Sequence, residues 1–277
     1  MKQAFAITGK MVLTVLIFIV LVVMGEILLI ISGGQTGWSG QLVTNIAMMG
    51  APLIMYAIFE RRHRWGLGLL QPRAAVNAGL GMLTGVGLIT VSFAAIWALG
   101  GLQVTSVHGD AATWRLVGIQ FVVFTFVAIS EELLCRGYLQ GLIKYHYGLR
   151  AAVWIPSLLF ALLHLGNPGI LATPLPLLNI FLVGIFFAMT REITGGLWFP
   201  TGFHLTWNFV QGNVFGLAVS GTEGGSLMTS EVQGHPVISG GSFGAEGSLL
   251  TTIILLLACL LVLRIHRRLD RLPRMGR

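Results

Sequence analysis

The sequence predicts an all-α polytopic membrane protein with eight transmembrane helices and both termini in the cytoplasm. Mean hydropathy is +0.84, 55% of the 277 residues are hydrophobic and only 10% are charged, which is a composition typical of membrane proteins. Eight apolar runs are long enough to be candidate membrane spans. The basic residues provide a third observation, because lysine and arginine accumulate in cytoplasmic loops.

The distribution of basic residues supports the number of spans. With both ends inside, 16 of the 17 lysine and arginine residues fall in inner segments, and only Arg115 lies outside. A missing or additional span would scramble this partition. The predicted spans cover residues 11–31, 42–60, 76–99, 114–135, 151–166, 174–190, 197–219 and 249–265.

The spans divide the chain into four regions. The segment between the last two spans is rich in glycine and serine, carries three glutamates and has no basic residue, so it is predicted to be a flexible outer loop. The regions are residues 1–110 with spans 1–3, residues 111–219 with spans 4–7, the loop at 220–248, and residues 249–277 with the last span and a basic cytoplasmic tail.

Composition also limits the partners. A net charge of +7 could indicate nucleic-acid binding, but the basic residues occur in short clusters between apolar segments, where they set membrane orientation. The two cysteines, Cys135 and Cys259, both lie in apolar segments and indicate neither a disulfide framework nor a zinc knuckle. We expect a lipid bilayer and no nucleic acid as the surroundings of this chain.

Charged side chains inside a membrane span indicate a functional site, because an unpaired charge in hydrocarbon is costly. Glu131, Glu132 and Arg136 end the apolar run of span 4. Glu132 and Arg136 are four residues apart with the acid first, which favours a salt bridge on one helical face. Glu131 points about 100° away from Glu132. We therefore predict a structural ion pair, and an unpaired Glu131 that faces a cavity as a base.

Two further pairs of residues at helical spacing lie in later spans. Phe160 precedes His164 by four residues in span 5, and His204 precedes Asn208 by four residues in span 7, so each pair shares one helical face. A carboxylate, two histidines and an asparagine suit amide hydrolysis. Glu131 and His164 would deprotonate a water molecule, while His204 and Asn208 would face the developing oxyanion. Phe160 is assigned a supporting role.

Two alternatives remain open on the residues alone. Glu131, His164 and His204 could instead hold a zinc ion with an open position for water. No His-Glu-x-x-His spacing is present and the ligands would come from three spans, so we favour the form without a metal or other cofactor. A non-catalytic membrane immunity or binding protein, in which the polar cluster only joins helices, is the alternative from another functional class.

Three motifs occur in order on successive polar-bearing spans, and together they resemble the CAAX protease and bacteriocin-processing (CPBP) family, which includes type II CAAX prenyl proteases and the Abi proteins. The motifs are Glu131-Glu132-x-x-x-Arg136, Phe160-x-x-x-His164 and His204-x-x-x-Asn208. The resembling region extends from about Trp114 to Phe215.

The resemblance implies an eight-helix intramembrane glutamic endopeptidase with a cavity open towards the cytoplasm, in a bacterial-type plasma membrane. By this likeness Glu131 and His164 activate the water, and His204 with Asn208 forms the oxyanion site. The implied partner is a peptide or membrane-protein substrate. Prenylation of that substrate, metal dependence and oligomeric state are not fixed by the resemblance.

The depth of the site residues places a further constraint on the helices. With the spans as drawn, Glu131 would lie about 25 Å below the outer start of span 4 and His164 about 20 Å above the inner start of span 5, too far apart in depth for contact. We therefore predict that span 4 continues past Arg136 as one helix to about Tyr147, ending at Gly148. Span 5 would then begin below the membrane surface.

Overall fold

The chain forms a helical membrane protein with one small sheet. The computed structural model describes residues 1–34 and 37–271, with side chains described as far as residue 269. Among these residues, six helices are long and apolar enough to cross a membrane, so the all-α polytopic class is confirmed. The number of eight spans and the cytoplasmic position of both termini stay predictions. The end of the predicted basic tail, residues 272–277, lies outside the described residues.

Each predicted span overlaps a helical segment of the structure. The α-helices are α1 Lys2–Ile31, α2 Trp38–Met55, α3 Ala74–Ala98, α4 Ala111–Glu132, α5 Gln140–Leu163, α6 Leu175–Thr194, α7 Trp198–Phe209, α8 Pro236–Ser239 and α9 Leu249–Arg271. Three π-helical segments extend them: π1 Tyr56–Glu60, π2 Leu133–Leu139 and π3 Val210–Val214. An antiparallel pair of strands, β1 Leu102–Val107 and β2 Met228–Val232, forms the sheet.

The structure has six helices of membrane-spanning length among its described residues, whereas the sequence predicted eight spans, and this difference has two physical causes. Predicted spans 4 and 5 belong to one bent helical stretch, Ala111–Leu163. Predicted span 7 corresponds to α7, which has only 12 residues, followed by the five residues of π3. At 1.5 Å per residue such a helix is shorter than the ~30 Å hydrocarbon core of a bilayer.

The stretch from α4 through π2 to α5 forms a long hairpin. Gly148 interrupts it with φ 79° and ψ 177°, a conformation that glycine adopts without steric cost. The helix therefore runs to Tyr147 before it turns back, as predicted. Glu131 lies 17 positions before Gly148, and His164 lies 16 positions after it. The hairpin thus brings these two residues to similar distances from the turn, about 25 Å each.

Helices α3 and α7 pack with their backbones unusually close. A Cβ atom on Gly81 would overlap the carbonyl of Phe199, and one on Gly85 would lie 2.6 Å from the carbonyl oxygen of Phe203. Glycine at these positions permits a close helix contact, as small-residue patterns do in membranes. This contact fixes the helix that carries His204.

Helix α4 begins with a side-chain cap. The backbone N–H of Thr113 donates to Asp110 Oδ1 at 3.0 Å, and its hydroxyl donates to Asp110 Oδ2 at 2.7 Å. The hydroxyl hydrogen bond and the backbone hydrogen bond from Thr113 hold the pKa of Asp110 below its usual range. This cap satisfies one of the free N–H groups at the start of the helix.

The segment 220–248, predicted as a flexible loop, is folded instead. It contains β2, α8 and two short 3₁₀ turns, Gly241–Phe243 and Ala245–Gly247. Phe243 and Ala245 are buried. The glycines and serines that suggested a linker serve tight turns; Gly244, for example, has φ 86°. The segment therefore closes one end of the helix bundle.

Candidate active site

The end of α4 and the start of π2 hold a fully buried ion pair. Arg136 Nη1 donates to Glu132 Oε1 at 3.0 Å, and neither side chain is exposed. The predicted salt bridge is therefore present. Arg136 Nη2 also donates to the carbonyl of Gly184 on α6 at 3.3 Å. Such additional hydrogen bonds are what a buried pair needs to offset its loss of hydration.

Two aromatic rings flank the guanidinium of Arg136. Its Cζ lies 4.2 Å from the ring centroid of Phe160 and 5.0 Å from that of Phe187, within the range of cation–π attraction. The ring of Phe160 also meets the ring of His164 edge-on, with centroids 4.8 Å apart. Phe160 therefore joins the ion pair to the histidine one turn later in the chain.

His204 lies between the two adjacent glutamates. Its Nδ1 is 3.1 Å from Glu132 Oε1 and its Nε2 is 3.7 Å from Glu131 Oε2. Because a carboxylate oxygen accepts, we assign a proton to Nδ1. The ring of His204 stacks on Phe187 with centroids 5.3 Å apart. Glu132 thus bridges Arg136 and His204, a link between distant parts of the chain that the local spacing did not predict.

Glu131 differs from Glu132 in its surroundings. Its side chain is 23% exposed, whereas that of Glu132 is fully buried. The buried Oε2 of Glu131 accepts no hydrogen bond from the described residues. The exposed part of this side chain can be reached by a ligand or a water molecule.

His164 is held in one tautomer by the helix it caps. Its Nδ1 lies 2.8 Å from the carbonyl oxygen of Phe160. A carbonyl oxygen only accepts, so Nδ1 carries the hydrogen and the lone pair is on Nε2. The four-residue spacing between Phe160 and His164 thus fixes both the ring contact and the protonation pattern of the imidazole.

The four predicted catalytic residues line one cavity of about 410 Å³. They are Glu131, His164, His204 and Asn208. A second cavity of about 340 Å³ has a largely apolar wall that includes Val15, Phe18 and Leu134, and it meets the first at Glu131 and His164. Asn167 also lines both cavities.

Comparison with protein families agrees with this geometry. Residues 113–210 match the family Rce1-like, described as type II CAAX prenyl endopeptidase Rce1-like. The predicted family resemblance is confirmed. The match runs from α4 to the first residue of π3 and contains all three motifs. It indicates a membrane protease of the CAAX type. No curated protein matches the chain.

The larger cavity extends from the site of the Rce1-like segment towards the folded segment 220–248. Ser220, Thr222, Glu223 and Glu246 line it, as does Gln41 near the start of α2. The distribution of basic residues predicts that this segment lies outside, whereas the family resemblance implied a cytoplasmic opening. For this cavity the two predictions therefore point to opposite sides of the membrane.

The zinc alternative concerns Glu131 and the two histidines of the Rce1-like segment. Within the described parts of the chain, no three His, Cys, Asp or Glu side chains form a group that could hold one. The Nδ1 atoms of His164 and His204 are both engaged in hydrogen bonds, which leaves Nε2 of each ring as the nitrogen that could bind a ligand, as in histidines that bind a metal. The zinc alternative at Glu131, His164 and His204 stays a prediction.

Proposed function

We propose that the chain is an intramembrane glutamic endopeptidase in which Glu131 and His164 activate a water molecule, while His204 and Asn208 stabilise the oxyanion. One observation carries the proposal: side chains from α4, α7 and the end of α5 converge on a single cavity. The Rce1-like match supports the coarser conclusion that the chain is a CAAX-type membrane protease. A bacterial-type plasma membrane and a peptide or membrane-protein substrate are part of the proposal.

The water is activated by the unpaired carboxylate. Glu131 accepts a proton from the water, whose oxygen attacks the carbonyl carbon of the scissile peptide bond. His164, with its Nε2 lone pair directed away from the Phe160 carbonyl, accepts a hydrogen bond from the same water. When the C–N bond breaks, the proton held by Glu131 passes to the departing amide nitrogen, so that the carboxylate is regenerated.

The oxyanion of the tetrahedral intermediate needs N–H donors at fixed positions. Asn208 offers its side-chain amide. His204, when both ring nitrogens are protonated, offers Nε2–H, while its Nδ1–H is held by Glu132 at 3.1 Å. In this scheme Glu132 is a positioning residue, because it acts through His204 and not on the substrate.

The substrates are first identified by comparing protein termini across membranes with and without the active protein. We then expect Glu131→Gln and His164→Ala each to lower kcat for a peptide identified in this way by at least about 100-fold, without a change in melting temperature. Glu231→Gln, an exposed position on β2, is the control and keeps full activity. Full activity in either site variant would exclude the mechanism.

Two further arms of this experiment address the alternatives. Loss of activity with a strong chelator, restored by zinc, would favour the metal site. A biological effect that survives in Glu131→Gln cells would favour the non-catalytic membrane immunity or binding protein.

We further propose that substrates reach the site from the side of segment 220–248. The lining of the larger cavity supports this direction, and the basic residues predict that this side is the outer one. Thr222→Cys, in a chain whose Cys135 and Cys259 are replaced by alanine, should react with a membrane-impermeant maleimide in sealed right-side-out vesicles. Lys144→Cys should react only after permeabilisation. If Lys144→Cys reacted in sealed vesicles and Thr222→Cys reacted only after permeabilisation, the cavity would open towards the cytoplasm, as the family resemblance implied.

A further inference from the structure

We infer that the outer part of the larger cavity binds an ammonium or guanidinium group of the substrate polypeptide. This inference rests on the proposed function, since it names the class of peptide that the site accepts. We call this part of the cavity the vestibule and define it by Gln120, Asn179, Asn213, Glu223 and Glu246. Glu223 and Glu246 belong to segment 220–248, so the vestibule is the part of the cavity beside that segment.

The formal charges of the cavity wall are negative, apart from the doubly protonated His204 of the proposed mechanism. Three carboxylates line it, those of Glu131, Glu223 and Glu246, and no lysine or arginine does. Glu223 is exposed, and no hydrogen bond or ion pair joins it to another residue that the structure describes. Inside a cleft whose charges are mostly of one sign, carboxylates attract cations more strongly than they would on an open surface.

The buried amides of the vestibule provide a second, independent observation. Asn179 and Asn213 are each 1% exposed. The Asn179 amide donates to the carbonyls of Glu246 and Ser248 at 2.7 and 3.0 Å, and the Asn213 amide donates to that of Gly225 at 2.6 Å. Neither side-chain oxygen accepts a hydrogen bond from the described residues. The side-chain N–H groups of Asn179 and Asn213 thus donate within the protein, while their side-chain oxygens have no hydrogen-bond donor among the described residues.

The carboxylate of Glu246 is held in place from one side. The backbone N–H and the hydroxyl of Ser220 both donate to its Oε2, at 2.8 and 3.0 Å. No described residue donates to its Oε1. The turn at Ser220 therefore fixes the charge at the cavity wall before any ligand arrives, which reduces the entropic cost of binding.

The hydrogen-bond acceptors and the negative charge of the vestibule together determine which ligand fits it. A wall with surplus acceptors and negative charge suits a group that has several N–H donors and a positive charge, as lysine, arginine and a free N-terminal amine have. A carboxylate or phosphate would meet charge repulsion here. An apolar chain has a better place in the second cavity, whose wall includes Val15, Phe18 and Leu163. The two cavities meet at Glu131, so the scissile bond would lie between a cationic segment and an apolar one.

Binding is tested with the full chain in nanodiscs of neutral phosphatidylcholine. The background variant is His164→Ala, which prevents turnover but keeps every carboxylate of the cavity. The probes are fluorescent peptides that share one apolar segment and differ in a polar segment with three lysines or three acetyl-lysines. Each is made with a free and an acetylated N-terminus, which separates a side-chain ammonium from the terminal one.

We expect the lysine peptide to bind about tenfold more tightly than the acetyl-lysine peptide at low salt, a difference that high salt reduces. Adding Glu223→Gln should lower this ratio at least about threefold, and adding Glu246→Gln as well should bring it close to one. The matched control is Glu231→Gln, which removes a charge from the same segment but not from the cavity. A preference confined to the free N-terminus would assign the ammonium to that source.

Equal affinities for the charged and neutral peptides would overturn the inference. A preference that persists in the variant lacking both Glu223 and Glu246 carboxylates would do the same. The proposed function fails separately, if the wild-type chain cleaves no peptide while the His164→Ala variant still prefers the lysine peptide. If the wild-type chain cleaved both peptides with equal kcat/KM, the proposed endopeptidase function would hold and the proposed preference for a cationic group would be wrong.

Discussion

Two buried glutamates of this protein have similar partners and different surroundings. The Glu60 cluster consists of Lys10, Phe59, Glu60 and His63, and the Glu132 cluster consists of Glu132, Arg136, Phe160 and His204. In each, a fully buried carboxylate binds one basic residue and one histidine. In each, the basic group also lies over a phenylalanine ring. Each glutamate is next to or within a π-helical segment.

The clusters differ in how the carboxylate is used. In the Glu60 cluster each oxygen has its own partner: Lys10 binds Oε1 and His63 binds Oε2, the latter at 2.8 Å. In the Glu132 cluster Arg136 and His204 share Oε1, and Oε2 has no partner among the described residues. The Glu132 cluster also lies beside Glu131 and a large cavity.

A buried Glu–base–His cluster is therefore not by itself evidence of catalysis. The Glu60 cluster satisfies its charges and lines neither of the two cavities described here. What distinguishes the Glu132 cluster is a second carboxylate, that of Glu131, whose Oε2 accepts no hydrogen bond from the described residues, together with space for a substrate. The two clusters therefore allow matched substitutions whose effects should separate structural from catalytic roles.

The largest expected effect is on stability. Arg136→Met should lower the free energy of unfolding by about 3–5 kcal/mol, because it removes a fully buried cation and leaves the buried carboxylate of Glu132 with only its contact to His204. Lys10→Met should cost about 1 kcal/mol, because the Lys10 side chain is partly exposed and its ion pair with Glu60 is screened by water. Denaturant or thermal unfolding in one detergent measures both. Equal losses would mean that the two ion pairs contribute alike.

An intermediate effect is expected on activity. Glu132→Gln keeps an oxygen that accepts from Arg136 and His204 but removes the charge that orients the imidazole. We expect kcat to fall about 10–100-fold with KM nearly unchanged. The counterpart, Glu60→Gln, should keep kcat within about twofold although it alters an equally buried carboxylate. Steady-state kinetics on one identified peptide separates kcat from KM.

Two results would contradict this assignment. If Glu132→Gln raised KM and left kcat unchanged, Glu132 would act on substrate binding instead of on His204. If Glu60→Gln lost as much kcat, the effect of either substitution would reflect general loss of packing. The pH dependence of kcat adds a further test, because only a residue that acts through His204 should shift it.

The sequence predicted the helices well because their signals are local. Apolar run length located each helical segment, although α1 begins nine residues before span 1 and α9 ends six residues after the last span. The absence of a breaker before Gly148 predicted the long helix that brings Glu131 and His164 to one cavity. The family motifs were also readable, because each is a four- or five-residue spacing on one helix. These predictions depend on neighbours in the chain, which a single sequence contains.

Contacts between distant segments could not be predicted in the same way. The bond between Glu132 and His204 joins residues 72 positions apart, and no local spacing indicates it. Asn213 follows Asn208 by five residues, which an α-helix would place on different faces. The π3 segment has i→i+5 hydrogen bonding, which brings residues at that spacing towards one face. The folding of segment 220–248 was missed because turns and linkers share the same glycine-rich composition.

The smallest effect in the comparison should come from the two phenylalanines. Phe160→Leu removes a ring that lies 4.2 Å from the buried guanidinium of Arg136 and contacts His164. A desolvated cation–π contact contributes about 2 kcal/mol, and looser placement of His164 should lower kcat about tenfold. Phe59→Leu alters a ring that lies 5.8 Å from Lys10 Nζ and is 42% exposed, so stability should change by less than about 1 kcal/mol and kcat should stay the same. If Phe160→Leu lost stability but kept wild-type kcat, its ring would serve only the ion pair, and the Glu132 cluster would resemble the Glu60 cluster more closely than its position suggests.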